Sequence, residues 1–282
     1  MLEIKIRQNE EDILKKQFAA CKCYDIAGSL EIISFCSCVI NVLVSYWFPD
    51  ESCLIYVTTV LIFIEGMCDY FKSYLISKGA QIRNNIDRTL FGLFHSSELN
   101  AFCYSKITEN IDRICHLYKK KFEERKKCDG IQKGVKDWYI LSNNYTDALH
   151  SIYDCQKQNQ EFDTPIVRWN KFFIVIIFIG TIITIFTSRN IPLSLCVSLP
   201  LISKIIKNII LMVQHNNVIV AMKLICSQVD KGEMSKEKLE ELQSYIEKRR
   251  CMDFSTFSVV YNLYRKYLHR ITERAVNTKK SI

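Results

Sequence analysis

Five ionisable side chains stand inside stretches otherwise suited to hydrocarbon, the first being Glu31, which interrupts LEIISFCSCVINVLVSYWF. Glu65 and Asp69 interrupt CLIYVTTVLIFIEGMCDYF, while Lys204 and Lys207, with Asn208, interrupt IPLSLCVSLPLISKIIKNIILMV. Glu65 and Asp69 are at i, i+4 and share one helical face; Lys204, Lys207 and Asn208 share a face of another helix. A charge near a bilayer centre costs about 2.5–3.5 kcal/mol on insertion scales, which favours a partner or a wet cavity. Such groups can pair across a bundle, line and gate a pore, or snorkel to the nearby interface, which Lys207 and Asp69 are placed to do. Pro200, four residues before Lys204, frees backbone acceptors in the same helix.

Other chemistry finds little footing. The five histidines (His95, His116, His150, His215, His269) are scattered, with no H-x-E, no H-E-x-x-H, no nucleophile elbow and no phosphate loop. Thirteen cysteines show no C-x-x-C pair and no Cys/His metal spacing, and read as small apolar side chains. The expectation is a protein that is not an enzyme, with no cofactor and no metal.

The elements that must position the charges are long helices. FFIVIIFIGTIITIFT runs from Phe172 without a charge, and after Ser188-Arg189-Asn190 the chain turns apolar again as far as Val213. About 20 apolar residues cross a hydrocarbon core about 30 Å thick, so the spacing predicts a helical hairpin through the bilayer. Leu30–Phe48 and Cys53–Phe71, joined at Pro49-Asp50-Glu51-Ser52, predict a second, with Tyr46, Trp47 and Tyr56 as an aromatic belt. Eight Gly and four Pro suit long helices, and no stretch shows strand alternation. The fold class expected is an all-α membrane protein: four transmembrane helices as two hairpins (2+2) and a helical cytoplasmic region from the middle and C-terminal segments. Its parts are an amphipathic N-terminal helix (1–29), hairpin 1 (30–71), a helical segment (72–171), hairpin 2 (172–213) and C-terminal helices (214–282).

Basic residues set the orientation. Five Lys/Arg precede Leu30, seventeen lie between Lys72 and Lys171, and thirteen follow Gln214, whereas the two hairpin tips hold none and one. Positive residues stay inside, so both termini and the middle segment are expected to be cytoplasmic. Orientation accounts for the net charge of +8 without DNA as a partner. The basic run at 119–127 reads as a solvated face or a contact with anionic membrane lipid. Within the cytoplasmic parts, helices are expected over Glu3–Tyr24, Tyr74–Leu93, about Leu99–Arg125, about Thr146–Gln160, Ser235–Arg250 and about Ser255–Ala275. Ser96 or Ser97 and Ser235 are candidate caps.

Three blocks carry a family resemblance. Ile82-x-x-x-Ile86-Asp87-x-x-Leu90-Phe91-Gly92-Leu93 follows hairpin 1. Lys136-Asp137-Trp138-Tyr139 leads to Cys155-Gln156-x-x-Asn159-x-x-Phe162-Asp163 and then Val167-Arg168. Leu242-Gln243-x-x-Ile246-x-x-Arg249 and Val260-Tyr261-x-x-Tyr264-Arg265 come last. With the 2+2 layout these resemble the bacterial SMODS-associating four-transmembrane proteins, effectors of cyclic-oligonucleotide antiphage (CBASS) systems. Ile140 stands where that family often has proline, Phe162 replaces a common tryptophan, and the usual tryptophan after Leu-Phe-Gly-Leu is absent. The resemblance implies an inner-membrane effector for abortive infection, a homo-oligomer that forms a pore. A cyclic oligonucleotide made by a partner nucleotidyltransferase would bind its cytoplasmic part. The ligand-contact candidates are Arg83, Asp87, Asp137, Trp138, Tyr139, Gln156, Asn159, Asp163 and Arg168; the gating candidates are Glu65, Asp69, Lys204, Lys207 and Asn208. For Asp137, Trp138, Tyr139, Gln156, Asn159 and Asp163, structural hydrogen bonding at the membrane boundary stands as the other reading. A membrane-anchored receptor or scaffold, or a constitutive small ion channel, fits the same spans.

The orientation is directly testable. A membrane-impermeant thiol probe on intact cells should label a cysteine placed at Asp50 and spare one placed at Lys120. Labelling at 120 in sealed cells would overturn the assignment.

Overall fold

A computed structural model describes residues 2–48, 54–93, 101–129, 134–141, 147–188, 190–253 and 267. The side chains of 2, 101–107, 162–170 and 173 lie outside that description. Eight helices run in chain order among the described residues: α1 (Leu2–Arg7), α2 (Glu11–Trp47), α3 (Leu54–Phe91), α4 (Ala101–Leu117), α5 (Lys119–Lys126), α6 (Ala148–Thr187), α7 (Ile191–Asp230) and α8 (Lys236–Arg250). No strand occurs among these residues, only an isolated bridge between Asp129 and Lys136. Apart from Tyr267, the expected helix over Ser255–Ala275 falls outside the described residues, as do the Ser96/Ser97 cap and the block around Val260–Arg265.

The apolar runs and their charged neighbours form continuous rods. α2, α3, α6 and α7 have 37, 38, 40 and 40 residues, which makes each about 55–60 Å long. α2, α3 and α7 are long and apolar enough to cross a membrane, and α6 contributes a shorter described apolar stretch, Ile174–Thr187. Side-chain caps fix the starts: Asp147 accepts from Leu149 N–H, Asn190 from Leu193 N–H, and Ser235 from Lys238 N–H. Gly92 (φ 61°) and Gly232 (φ 99°) follow α3 and α7 in the left-handed region that glycine enters without steric cost.

Two of the expected helices are broken. Glu3–Tyr24 is interrupted at Gln8–Glu10, because Gln8 and Asn9 turn their amides onto the 137–139 loop rather than continuing a helical face. Gln8 bonds both the N–H (2.9 Å) and the carbonyl (3.2 Å) of Tyr139, and Asn9 bonds the Asp137 N–H (3.0 Å) and carboxylate (2.8 Å). Leu99–Arg125 divides at Tyr118 (φ −115°, ψ 31°) into α4 and α5.

Two apolar cores result. The larger lies in the charged half and gathers Phe18, Ile86, Tyr139, Cys155, Met222, Leu242 and Ile246 from six segments. The smaller, in the apolar half, joins Phe35, Cys38 and Val42 of α2 to Ile174 of α6 and Leu201, Ile205 and Met212 of α7. α3 stays outside that smaller core: 11% of its apolar window is buried, against 50% for α2 and 39% for α7.

α2 and α3 pair in a single antiparallel register. Cys38 meets Glu65, Ser34 meets Asp69, Glu31 meets Lys72, and Tyr24 meets Gly79. Each pair is centred on the same point of the chain, between Glu51 and Ser52. Gly79 allows the closest approach, since a Cβ there would lie 3.0 Å from the Tyr24 ring and 3.3 Å from Cys23 Cβ. Gly79→Leu should therefore destabilise the protein by about 1–3 kcal/mol. Loss of helical signal on heating in detergent micelles would show it, and an unchanged midpoint would rule out this contact as a packing constraint.

Candidate functional site

A belt of paired charges crosses the bundle where the apolar half begins. Lys204 on α7 lies 2.6 Å from Asp69 Oδ1 on α3, with only 2% of its side chain exposed. Its ammonium also donates to Ser34 of α2, whose hydroxyl in turn donates to Asp69 Oδ1 at 3.0 Å. One turn further along, Lys72 pairs with Glu31 of α2 at 2.6 Å, with 3% and 1% of the side chains exposed. The Lys204 ammonium also stands 5.1 Å from the centroid of the Phe35 ring. In surroundings this dry, each charge requires its partner, because removing one leaves the other uncompensated.

Beyond α8, one carboxylate closes the belt from the charged side. Asp253 accepts from Ser73 at 2.8 Å and from Lys207 at 3.1 Å, and it lies 3.9 Å from Lys72. Lys207 therefore turns to the end of α8, away from Glu65 and Asp69. Glu65 is half-buried and faces Cys38. Asn208 bonds back to the Lys204 carbonyl at 2.9 Å.

The second constellation is a buried polar knot in the charged half. Asp87 is 1% exposed. It accepts from the Tyr139 hydroxyl (2.7 Å) and the Gln243 amide (3.2 Å) and pairs with Arg250 (2.8 Å). Arg250 also reaches Asn84 (3.2 Å) and Asn159 (3.4 Å), and the Asn159 amide donates to the Tyr139 hydroxyl at 3.2 Å. The Gln156 amide donates to the Leu239 carbonyl at 2.9 Å and lies 3.2 Å from Gln243 Oε1. Burial alone would lower the Arg250 pKa, but Asp87 beside it reverses the sign and holds it above the usual range. Burial, with Asp87 adding to it, pushes the Tyr139 phenol up, so it stays protonated and donates.

The ligand-contact candidates thus divide. Asp87 and Asn159 both bond the Tyr139 hydroxyl, and Gln156 joins this network through Gln243. Arg83 and Trp138 form a stack outside the knot, with the guanidinium carbon 3.8 Å from the ring centroid. Asp137, at φ 45°, is engaged by Asn9. The side chains of Asp163 and Arg168 lie outside the described residues. Among the described residues no group of three or more metal-ligating side chains occurs.

Several participants were not singled out by sequence. Glu31 and Lys72 read there as an interruption and an orientation marker, yet equal distance from the hairpin tip identifies them as partners. Arg250 and Asp253 carry no such signal. Their roles depend on α8 folding back so that three residues separate the knot from the belt.

The knot makes a quantitative expectation. Arg250→Met should destabilise the protein by about 3–5 kcal/mol, because Asp87 keeps its charge without a cation, and Asp87→Asn in the same chain should recover part of the loss. Urea unfolding followed by circular dichroism measures both. Equal loss in the single and double variants would mean that the pair contributes through packing alone.

No curated protein and no solved structure matches the chain. One family does: the SMODS-associating 4TM effector domain matches residues 2–278, nearly the whole length, and its name agrees with the helices long enough to span a membrane. The chain is a membrane protein and belongs to the SMODS-associating 4TM effector family.

Proposed function

We propose that this protein is a pore-forming membrane effector held closed by its charge belt and opened when the cytoplasmic region binds a cyclic oligonucleotide. The signal would come from the nucleotidyltransferase with which a SMODS-associating effector works in a CBASS system. The protein would sit in the bacterial inner membrane with four spans as two hairpins, both termini cytoplasmic, and would act as a homo-oligomer without catalysis. One chain's helices pack against each other, so a conduit calls for several copies in a symmetric ring.

The observation that carries this reading is the Lys204–Asp69 pair, 2.6 Å across two helices of the apolar half. Asp253 supports it. Three residues from Arg250 in the buried knot, it holds Lys207 and Ser73 at the belt. A displacement of α8 would remove the carboxylate from Lys207 and Lys72 together, leaving excess positive charge beside the spans. A wet, expanded arrangement hydrates that charge better than a closed one.

Liposome dye release tests the reading. Wild type should retain dye until cyclic oligonucleotide is added, Lys204→Met should leak without signal or fail to insert, and Asp253→Asn should lower the signal needed. Asp69→Asn with Lys204→Met should recover part of the change, with a coupling of about 0.5–3 kcal/mol. A membrane-anchored receptor or scaffold would release no dye under any condition. A constitutive channel would release it without nucleotide. Either result would reject the proposal.

A further inference from the structure

Six lysine and arginine residues are buried among the described residues, and two of them differ from the rest. Lys16, Lys72, Lys204 and Arg250 each have a carboxylate, at 2.6, 2.6, 2.6 and 2.8 Å. Lys22 and Arg83, each 7% exposed, have none within ion-pair distance among the described residues. Lys22 rests on ring faces alone, 4.8 Å from the Tyr118 centroid and 5.9 Å from that of Phe18. Arg83 stacks on Trp138, and its one hydrogen bond is a weak contact to the Cys21 thiol at 3.8 Å. Five guanidinium N–H donors thus meet a single poor acceptor.

These two cations reach the same turn of α2. Lys22 is the chain neighbour of Cys21, the residue that Arg83 touches. One turn along the same face of α2, Asp25 pairs with Arg125 of α5 at 2.9 Å, and Arg125 also lies 5.9 Å from the Phe18 centroid. The nearby acids of α2 are engaged elsewhere, Glu11 with Lys126 and Asp12 with Lys16. Lys22 and Arg125 therefore share one carboxylate, with Lys121 exposed beside them. Burial, and then Arg125, lower the Lys22 pKa, and Asp25 opposes them only in part. Around the two buried cations, Cys21, Tyr118, Arg125 and Trp138 are half-buried and Asp25 is exposed, so the floor opens to solvent. The unpaired nitrogens of Lys22 and Arg83 are not shut off from it.

We propose that Lys22 and Arg83, with Arg125 at the rim, form a binding site for a phosphate-bearing anion from solution. Guanidinium and ammonium groups with unused donors are suited to phosphate oxygens, which they bind through charge-assisted hydrogen bonds. A lipid headgroup carries the same phosphate, but Lys22 lies eight residues before the first apolar run, about 12 Å along the helix from the membrane boundary. The assignment rests on the function proposed above, in which the signal is a nucleotide, and it gives that signal's phosphates a seat. The seat is also well connected. Arg83 is one turn from Asp87, and Trp138 is the neighbour of Tyr139, so an anion drawn onto this pair acts on two members of the knot that holds Arg250.

The full chain in zwitterionic nanodiscs, titrated with inorganic pyrophosphate against sulfate at equal ionic strength, tests the site through thermal unfolding and Trp fluorescence. Pyrophosphate should raise the unfolding midpoint of wild type. Lys22→Met and Arg83→Met should each weaken its apparent affinity about tenfold, and Lys236→Met, at an exposed position, should not. Without ligand, Lys22→Met should unfold at the wild-type temperature or above it, since it removes an uncompensated charge; a lower midpoint would point to a packing role. Equal responses to sulfate and pyrophosphate, or affinities unchanged in both variants, would overturn the site. A response confined to nanodiscs containing phosphatidylglycerol would assign the phosphate to lipid and overturn the soluble ligand. Dye release does not enter these measurements. A protein that binds but never leaks fails the pore reading alone, and one that leaks on signal while Lys22→Met and Arg83→Met keep the wild-type pyrophosphate affinity fails this one.

Discussion

Lys72 reaches from α3 to Glu31 on α2, and both side chains are almost wholly withdrawn from solvent. Taking two such charges out of water is costly, and only their mutual attraction offsets it, so the pair fixes how the two helices must lie. The remaining belt follows from that register. With Glu31 opposite Lys72, Ser34 falls opposite Asp69, and the Lys204 ammonium of α7 fits between them. A slip of one turn in α3 would leave four charges without partners. Apolar packing tolerates such a slip more readily, because Ile, Val and Phe side chains can exchange neighbours.

The buried knot and the belt are two ends of one physical connection. Asp87 holds Arg250, and three residues later Asp253 holds Ser73 and Lys207. α3 joins the same two places directly, since Asp69, Lys72, Ser73, Asn84 and Asp87 all lie on it. Two covalent routes, α3 and the end of α8, therefore link the same pair of clusters. Strain applied at one cluster is felt at the other whichever route yields first.

The long helices were legible in the sequence because uncharged runs have few other physical uses. The meeting of Asp69 with Lys204 was legible for a related reason: charges at matched depth in lipid must be accounted for, and few candidates existed. Glu31 with Lys72 was legible only in retrospect, through their equal distance from the hairpin tip. The knot was not. Asp87, Tyr139, Asn159, Gln243 and Arg250 are spread over four segments, and no periodicity connects them. Polar residues near the end of a charged helix look the same in sequence whether they face water or each other. The break at Tyr118 likewise lacks a glycine or proline to announce it, and the turn at Gln8–Glu10 exists because a distant loop supplies its hydrogen-bond partners.

The belt lies close to the middle of its rods. Asp69 and Lys72 divide the 38 residues of α3 into nearly equal parts, and Lys204 stands about a third of the way along the 40 of α7. A rigid rod clamped near its centre behaves as a lever. A tilt about that fulcrum moves the outer end against the inner one by a comparable distance, over arms of about 20–40 Å. The apolar window of α3 is less buried than those of α2 and α7, so its apolar arm has little packing besides α2 to resist such a swing. An ångström of movement where α3 meets α8 is therefore delivered, reversed in direction and little diminished, to the far face of the bundle.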